Sequence, residues 1–139
     1  MHDKIVLLLN SCGGCVSDGI AIIQAMEASK VPITTIALGE IKSMAFDIFV
    51  AGNERIIAPT TIAMAHPLSL ETGGTTHDHR TYHKYIELMH SHHVKHLKKY
   101  TQLDEQTINE LFLGKQDFFL TAKDCIKYGV ADKISSKFL

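Results

Sequence analysis

The sequence predicts an α/β fold with a mostly parallel sheet. Short apolar runs rich in β-branched residues alternate with helix-like segments through the first half of the 139 residues, an alternation typical of strand–helix units. Apolar residues make up 45% of the chain and charged residues 21%, the proportions of an ordinary globular protein. Because a chain of this length favours one domain, we expect residues 1–139 to form a single unit.

The first strand–helix unit begins close to the N-terminus. Residues 4–9, KIVLLL, form a continuous apolar run bounded by polar residues and glycines, which predicts a strand buried on both faces. Ser17 or Asp18 can cap the helix that follows, in which Ile20 and Ile23 show helical spacing.

The second strand–helix unit begins after Pro32. Residues 33–38 are rich in isoleucine and threonine and predict a strand. Gly39 predicts a turn, and residues 43–50 predict a short buried helix that ends at Gly52.

The middle of the chain combines two short strands with a long helix. Residues 55–67, RIIAPTTIAMAHP, predict two strands broken by Pro59, and residues 69–80, SLETGGTTHDHR, predict a polar loop or an exposed ribbon. A helix running to about Tyr100 is indicated by one stripe of residues at helical spacing: Tyr82, Ile86, Met89, His93 and Leu97.

Capping signals place the last elements. Asp104 can cap a helix that continues to residue 112, and Thr121 with Asp124 fits a capping box. Gly129 fits the position just after the end of that last helix, and the following VADKI predicts a final short strand.

Charge and composition exclude several classes of function. The formal net charge is −1 and no block of like charges occurs, so neither nucleic acid nor an anionic membrane is expected as a partner. The N-terminal apolar run, IVLLL, is too short for a signal peptide or a membrane span, which predicts a cytoplasmic protein. Three cysteines do not make a disulfide framework.

Ser43 and His66 are the candidate reactive residues that the pattern singles out. Ser43 follows a predicted strand and opens a predicted helix, where free N–H groups can stabilise an oxyanion, but a serine there is also a common helix cap. A serine nucleophile needs a base, and of the nine histidines only His66 ends a buried apolar run. Taken alone, a histidine in that position is more often a core residue than a catalytic base.

Four motifs in order give the chain a resemblance to a known family. LNSCGG (9–14), the Ser43–Met44 pair after GEIK, MAHPL (64–68) and DFFLTAKDCIKYGVAD (117–132) resemble motifs of the proteolytic subunit of the Clp protease, and the resemblance extends from Ile5 to Ile134. It implies a ClpP/crotonase-like fold of repeated strand–helix units, with a handle made of a helix and a ribbon over about residues 68–100.

The family pattern assigns a role to five residues. It implies Ser43 as the nucleophile, His66 as the general base and then acid, and Asp117 as the group that orients the imidazole. Gly14 and Met44 would donate the oxyanion-hole N–H groups. The expected function is a serine endopeptidase that hydrolyses peptides or unfolded proteins without any metal or organic cofactor.

The resemblance also implies an assembly. In the family, handles join two heptameric rings into a closed chamber, so self-association into stacked rings is expected. Family members carry a further N-terminal region, which includes part of the surface that docks an ATP-driven AAA+ unfoldase. This sequence starts after that region, so it is either shortened or a minimal, viral-type relative, and an unfoldase partner stays open.

Cys12 departs from the family motif, which has proline there, and creates a C-G-G-C sequence with Cys15. A C-x-x-C at a strand-to-helix turn is typical of thiol–disulfide oxidoreductases, so redox chemistry is one alternative function. A non-catalytic ring subunit is another. Cys125 is expected to be a buried helix residue.

Other polar residues near Ser43 leave further alternatives. Lys42 adjoins Ser43 and raises a Ser–Lys dyad, although chain neighbours usually point apart. Asp47, one helical turn after Ser43, stands where the family has an apolar residue, and is expected to compete for His66 or to pair with Lys42. The pairs His79/His83 and His92/His96 have spacing suited to a metal, but a solvated helix face is the expected interpretation.

Overall fold

The computed structural model describes residues 4–138, in which six strands form one mixed, mostly parallel sheet. The predicted α/β class is confirmed. The strands are β1 (Ile5–Ser11), β2 (Ile33–Lys42), β3 (Glu54–Ile57), β4 (Ile62–Ala65), β5 (Phe118–Leu120) and β6 (Lys133–Ile134). The helices are α1 (Val16–Ala28), α2 (Met44–Val50), α3 (Thr76–Tyr100), α4 (Glu105–Thr107), which continues as a π-helical segment over Ile108–Phe112, and α5 (Ala122–Lys127).

β2 is the central strand of the sheet. β1 pairs in parallel along one edge of β2, whereas β3 and β4 share the other edge, β3 along its first half and β4 along its last three residues. β6 extends the sheet in parallel beyond β3, and β5 pairs antiparallel with β4. This arrangement brings the carboxyl ends of β2 and β4 side by side, the place where open α/β sheets carry their functional residues.

β1 is an edge strand, so the prediction of a strand buried on both faces was wrong. Among the described residues it pairs only with β2, and the side chains of Ile5 and Leu8 are 46% and 49% exposed. A continuous apolar run is expected only of a strand covered on both faces. The sequence of β1 therefore leaves apolar surface that the described residues do not cover.

β2 extends beyond its predicted end, and the predicted turn at Gly39 was wrong. The chain stays extended to Lys42, with a register irregularity opposite Leu9 and Ser11 on β1. Gly39 has φ +62, and a Cβ there would lie 2.8 Å from Asn10 Oδ1. Glycine therefore lets the strand continue through a bulge, which delivers Ser43 to the end of the sheet.

α2 lies at the centre of the core. All seven of its residues are buried, as predicted, and it packs against α1 on one side and against the second half of α3 on the other. Phe46, Phe49 and Val50 join the main apolar cluster, whereas Met44 and Ile48 pack with Ile23 of α1 in a smaller one. The helix that starts at Ser43 is therefore fixed on several sides.

α3 begins earlier than its apolar stripe predicts. A capping box between Thr75 and Asp78 starts the helix at Thr76, so the residues from 76 to 80 are helical and residues 67–75 form a loop without a strand. The predicted loop is thus confirmed for the first part of this stretch, and the ribbon is absent within the described residues. Only the second half of α3 packs on the core, through Val94 and Leu97.

The capping signals of the C-terminal part are confirmed. Asp104 accepts a hydrogen bond from the Thr107 N–H, and Thr121 and Asp124 form the predicted capping box of α5. Gly129 follows α5 with φ +69, and Cys125 is completely buried. Within residues 4–138, no helix combines the length and the apolar character that a membrane crossing needs.

Candidate active site

Ser43 lies at the junction of β2 and α2 in an unusual backbone conformation. Its φ of 56° and ψ of −129° make it the only non-glycine residue of positive φ in the described part of the chain. The Ser43 N–H donates to the Met64 carbonyl at 2.9 Å, which ties the junction to β4. Such a conformation costs about 1–3 kcal/mol and is typical of functional sites that are held by their surroundings.

His66 follows β4 and contacts Ser43 directly. The parallel register that pairs Lys42 with Met64 brings the two following segments together, and His66 Nε2 lies 2.7 Å from Ser43 Oγ. The side chain of His66 is 27% exposed, so the imidazole borders an open cleft and is not a core residue. The contact is of hydrogen-bond length and joins the two residues that the sequence singled out.

Asp117 is brought to the other side of the imidazole by antiparallel pairing. Ala65 of β4 pairs with Phe118 of β5. Because the two strands are antiparallel, His66, which follows Ala65, lies opposite Asp117, which precedes Phe118. Asp117 Oδ1 lies 3.3 Å from His66 Nδ1, and its side chain is 52% exposed. An Nδ1–H directed at this carboxylate leaves Nε2 unprotonated, so Nε2 accepts the hydrogen bond from the Ser43 hydroxyl.

Gly14 and Met44 border the same cleft as Ser43. Among the described residues, neither backbone N–H donates to a protein acceptor, which leaves both free for a ligand. Gly13 brings this loop close: it has φ +102, and a Cβ there would lie 2.7 Å from the Ser43 Cβ. Glycine is therefore required for the loop to approach the serine.

A cavity of about 110 Å³ collects these groups. Its wall contains Gly14, Ser43, Met44 and His66, so four of the five residues assigned by the family pattern border one space. A serine hydroxyl with an imidazole acceptor, next to free N–H groups, has the components of an acyl-transfer site.

The comparison with protein families identifies the chain's relatives. A family model described as Clp protease matches residues 1–138. This chain belongs to the Clp protease family. The translocation-enhancing protein TepA of Halalkalibacterium halodurans is 28% identical over 138 residues, covering 95% of this chain and 53% of that protein. The ATP-dependent Clp protease proteolytic subunit of Deinococcus radiodurans is 28% identical over 135 residues, covering 96% of this chain and 65% of that protein.

The match to the Clp protease family model covers almost the whole chain. The chain spans between about half and two thirds of the length of these curated relatives. The resemblance inferred from its motifs is therefore confirmed at the level of the family.

Asp47 pairs with α3 and not with His66 or Lys42, so the predicted partners were wrong. Its Oδ1 lies 2.8 Å from His93 Nε2, and the side chains of the two residues are only 6% and 11% exposed. His96 Nε2 donates to the Asp47 carbonyl at 2.9 Å. Asp47 interrupts an otherwise apolar helix, and a buried carboxylate requires a partner, but the sequence does not indicate which of nine histidines it meets.

The pKa values of the two histidines next to Asp47 are shifted in opposite directions. Burial alone would lower the pKa of His93, but the charge of the Asp47 carboxylate and its hydrogen bond outweigh burial and raise it. Burial lowers the pKa of His96, since its bond to the Asp47 carbonyl compensates only in part. His93 therefore favours the charged form more than an exposed histidine does, and His96 the neutral form.

The remaining polar residues near Ser43 have other contacts. Lys42 Nζ forms an ion pair with Glu40 at 2.8 Å, which directs it away from a Ser–Lys dyad. Cys12 and Cys15 are exposed free thiols. Cys15 contacts Ser17 Oγ at 3.1 Å, and this hydrogen bond is the main cause of a lowered Cys15 pKa.

Among residues 4–138, no group of three histidine, cysteine, aspartate or glutamate side chains is placed to hold a metal ion. His79, His83 and His92 are exposed, as expected for a solvated face, but His96 is largely buried against α2, contrary to that expectation.

Proposed function

We propose that the chain is a serine endopeptidase that hydrolyses peptide bonds of peptides or unfolded proteins inside an oligomeric chamber. The observation that carries the proposal is the 2.7 Å contact between Ser43 Oγ and His66 Nε2. This pair combines a hydroxyl nucleophile with the base it needs, next to free backbone donors.

The first half-reaction forms an acyl-enzyme. Ser43 Oγ attacks the carbonyl carbon of the substrate peptide bond while its proton passes to His66 Nε2. Asp117 stabilises the imidazolium and keeps Nδ1–H directed at itself. His66 then gives the proton to the leaving amide nitrogen, the carbon–nitrogen bond breaks, and the amine product departs.

The second half-reaction returns the serine. His66 takes a proton from a water molecule, whose oxygen attacks the acyl carbonyl carbon. The proton returns from His66 to Ser43 Oγ as the ester bond breaks, and the carboxylic acid product leaves. In both halves, the Gly14 and Met44 N–H groups stabilise the oxyanion, each contributing about 2.7–4 kcal/mol to transition-state stabilisation.

The strained Ser43 backbone supports this assignment. A serine used only as a helix cap places its side-chain oxygen on the N–H groups of the next turn, but Ser43 makes no side-chain capping bond. Its hydroxyl is directed at His66, and the cost of its conformation is explained by positioning the nucleophile.

Self-association is the second part of the proposal. The first half of α3 is exposed along nearly its whole length, including Tyr82, Tyr85, Ile86 and Leu88. We place ring-to-ring contact there, in agreement with the handle that the family resemblance implies. An AAA+ unfoldase partner is not part of the proposal, since the residues described here offer no argument for its docking surface.

A fluorophosphonate probe tests the nucleophile. We expect the parent chain to be labelled and Ser43→Ala to be unlabelled, because the probe reacts with an activated serine. Ser136→Ala is the matched control, since Ser136 is an exposed serine near the C-terminus and should leave labelling unchanged. Peptide hydrolysis should fall about 10⁶-fold in Ser43→Ala. Equal labelling of Ser43→Ala and the parent would refute the assignment.

The two alternative functions give different results. An oxidoreductase would reduce insulin disulfides in a manner lost in Cys12→Ser and unaffected in Ser43→Ala. A non-catalytic ring subunit would assemble but neither react with the probe nor reduce insulin. The free state of both exposed thiols is compatible with redox chemistry, but the contact between Ser43 and His66 favours the peptidase.

A further inference from the structure

A second, larger cavity opens from the candidate active site. It has a volume of about 290 Å³ and lies between α1, α2 and α3, where apolar side chains such as Ile20, Ile23 and Met89 share the wall with polar and charged ones. It shares five wall residues with the cavity around Ser43: Val16, Met44, Asp47, Leu68 and His93. A side chain entering from Ser43 therefore passes the Asp47–His93 pair.

The Asp47 carboxylate has one oxygen available to this passage. Oδ1 is taken by His93, whereas Oδ2 has no hydrogen-bond partner among the described residues. Within residues 4–138, every fully buried side-chain oxygen or nitrogen has a hydrogen-bond partner. Because Oδ2 has none, it is not fully buried and contacts open space. The open space next to Asp47 is that of the two cavities it lines.

The other charged groups around the larger cavity compensate one another or face solvent. On α1, Glu27 accepts a hydrogen bond from Lys99 of α3 at 2.7 Å and another from the Tyr100 hydroxyl. Lys95 and His92 of α3 are exposed. His96 donates to the Asp47 carbonyl and its pKa is lowered by burial, and at the Ser43 end His66 borders the smaller cavity.

We propose that Asp47 and His93 determine which substrate side chain is accepted on the acyl side of the cleaved bond. The pair selects against a cationic side chain when His93 is charged and selects for a cationic side chain when His93 is neutral. The proposal rests on the serine peptidase function proposed above. With a charged His93 the pair has no net charge, and with a neutral His93 the Asp47 carboxylate leaves one negative charge at the entrance of the cavity. An apolar side chain is insensitive to that change.

A pair of peptide substrates that differ only in the acyl-side residue tests the proposal. Lysine and norleucine share the same apolar stem, and only lysine carries an ammonium group, which stays charged up to about pH 10. We expect the ratio of kcat/KM for lysine over norleucine to rise about fivefold between about pH 6 and about pH 9, the size of one weak ion pair between the lysine ammonium group and Asp47. Taking the ratio cancels any effect of pH that is common to both substrates, including a change in assembly, since both substrates meet the same enzyme.

Three variants separate the contributions. Asp47→Asn should give a low ratio at every pH, because no negative charge remains. His93→Gln should give a high ratio at every pH, because glutamine can still donate to Asp47 but carries no charge. His90→Gln is the matched control: His90 lies one turn before His93 on α3, contacts Asn109 and borders neither cavity, so the variant should retain the parent's pH dependence.

A wrong role for Asp47 and His93 gives a different experimental result from a wrong peptidase function. Hydrolysis of both peptides with a ratio independent of pH, or a pH dependence that persists in His93→Gln, would overturn the role of the pair. If neither peptide is hydrolysed, binding of the matching peptides with a C-terminal lysine or norleucine, followed by fluorescence anisotropy, gives the same ratio without chemistry. A ratio that changes with pH in that assay supports the proposal, and a constant one overturns it.

Discussion

Ser43 concentrates the strain of the molecule at one residue. Its positive φ is one that a side chain rarely adopts, and the residues that enforce it are the Met64 carbonyl, which accepts its N–H, and Gly13, which packs against its Cβ. The same geometry directs the hydroxyl at His66. If the strain is the cost of that direction, relieving it should stabilise the fold and abolish the proposed activity.

We predict that Ser43→Gly is more stable than Ser43→Ala by about 1 kcal/mol, since glycine relieves the strained conformation but loses more chain entropy on folding. Both variants lack the hydroxyl, so the comparison isolates the backbone. Urea unfolding measures the difference. Equal stability of the two variants would mean that Ser43 is not strained.

The sequence could predict the residues of the candidate site because they lie in local motifs. Ser43, His66 and Asp117 each directly follow or precede a strand, and the family pattern assigns their expected roles without reference to distant contacts. The partner of Asp47 could not be predicted in this way. Its contact with His93 spans 46 residues and depends on how α3 crosses α2, which the periodicity of neither helix specifies.

At the scale of elements, the sequence predicted where helices and strands lie better than it predicted which elements lie beside them. Capping residues such as Asp104 and Thr121 act on their own chain neighbours, so their effect is visible in sequence. The exposure of β1 and the bulge at Gly39 depend on which strands lie beside them. The predicted turn at Gly39 failed because glycine serves a bulge as readily as a turn.

Arg55 of β3 joins the end of α3 to the segment between α5 and β6. Its guanidinium forms a two-pronged contact with the Asp132 carboxylate and also donates to the carbonyls of Tyr100 and Gly129. We predict that Arg55→Ala lowers the free energy of unfolding by about 3 kcal/mol, because two carbonyls lose their donor and the Asp132 carboxylate keeps only the backbone N–H of residue 55.

Arg55→Lys should recover little of this loss, since an ammonium group cannot bond two carbonyls and a carboxylate in the same fork geometry. Lys123→Ala, at an exposed position on α5, is the control and should stay within about 0.5 kcal/mol of the parent. A Lys variant as stable as the parent would show that only the charge of Arg55 matters.

His93 and His96 couple α3 to α2 with opposite dependence on pH. The raised pKa of His93 means that its contribution to stability is complete below the ordinary histidine value of 6.5 and is lost as pH rises through the folded pKa. The lowered pKa of His96 means that its contribution is complete above 6.5 and is lost as pH falls through the folded pKa.

We therefore predict that, compared with the parent, the free energy of unfolding of His93→Gln falls less as pH rises above 6.5. That of His96→Gln should fall less as pH drops below 6.5. Glutamine keeps a donor for Asp47 in both cases. Urea unfolding across the pH range measures both limbs. If both variants flatten the same limb, the assignment of opposite roles to the two histidines is wrong.

At the scale of the whole molecule, α3 combines two different surfaces. Its second half packs on the core through Val94 and Leu97, whereas its first half leaves Leu88 62% and Tyr85 48% exposed. A helix whose apolar side chains meet no partner within the described residues is suited to contact with another copy of the chain. The chamber proposed above depends on this contact.

We predict that the parent chain sediments and scatters light as a multiple of its 15.4 kDa mass, and that Leu88→Asp shifts the population towards smaller species. An aspartate buried in an apolar interface is unfavourable by several kcal/mol per copy, and the effect repeats at every contact of the assembly. Lys123→Glu, an exposed charge change on α5, is the control and should leave the mass unchanged. Circular dichroism of both variants separates lost assembly from lost folding. A parent that is monomeric at high concentration, or a Leu88→Asp variant that assembles as the parent does, would remove the first half of α3 from the proposed interface.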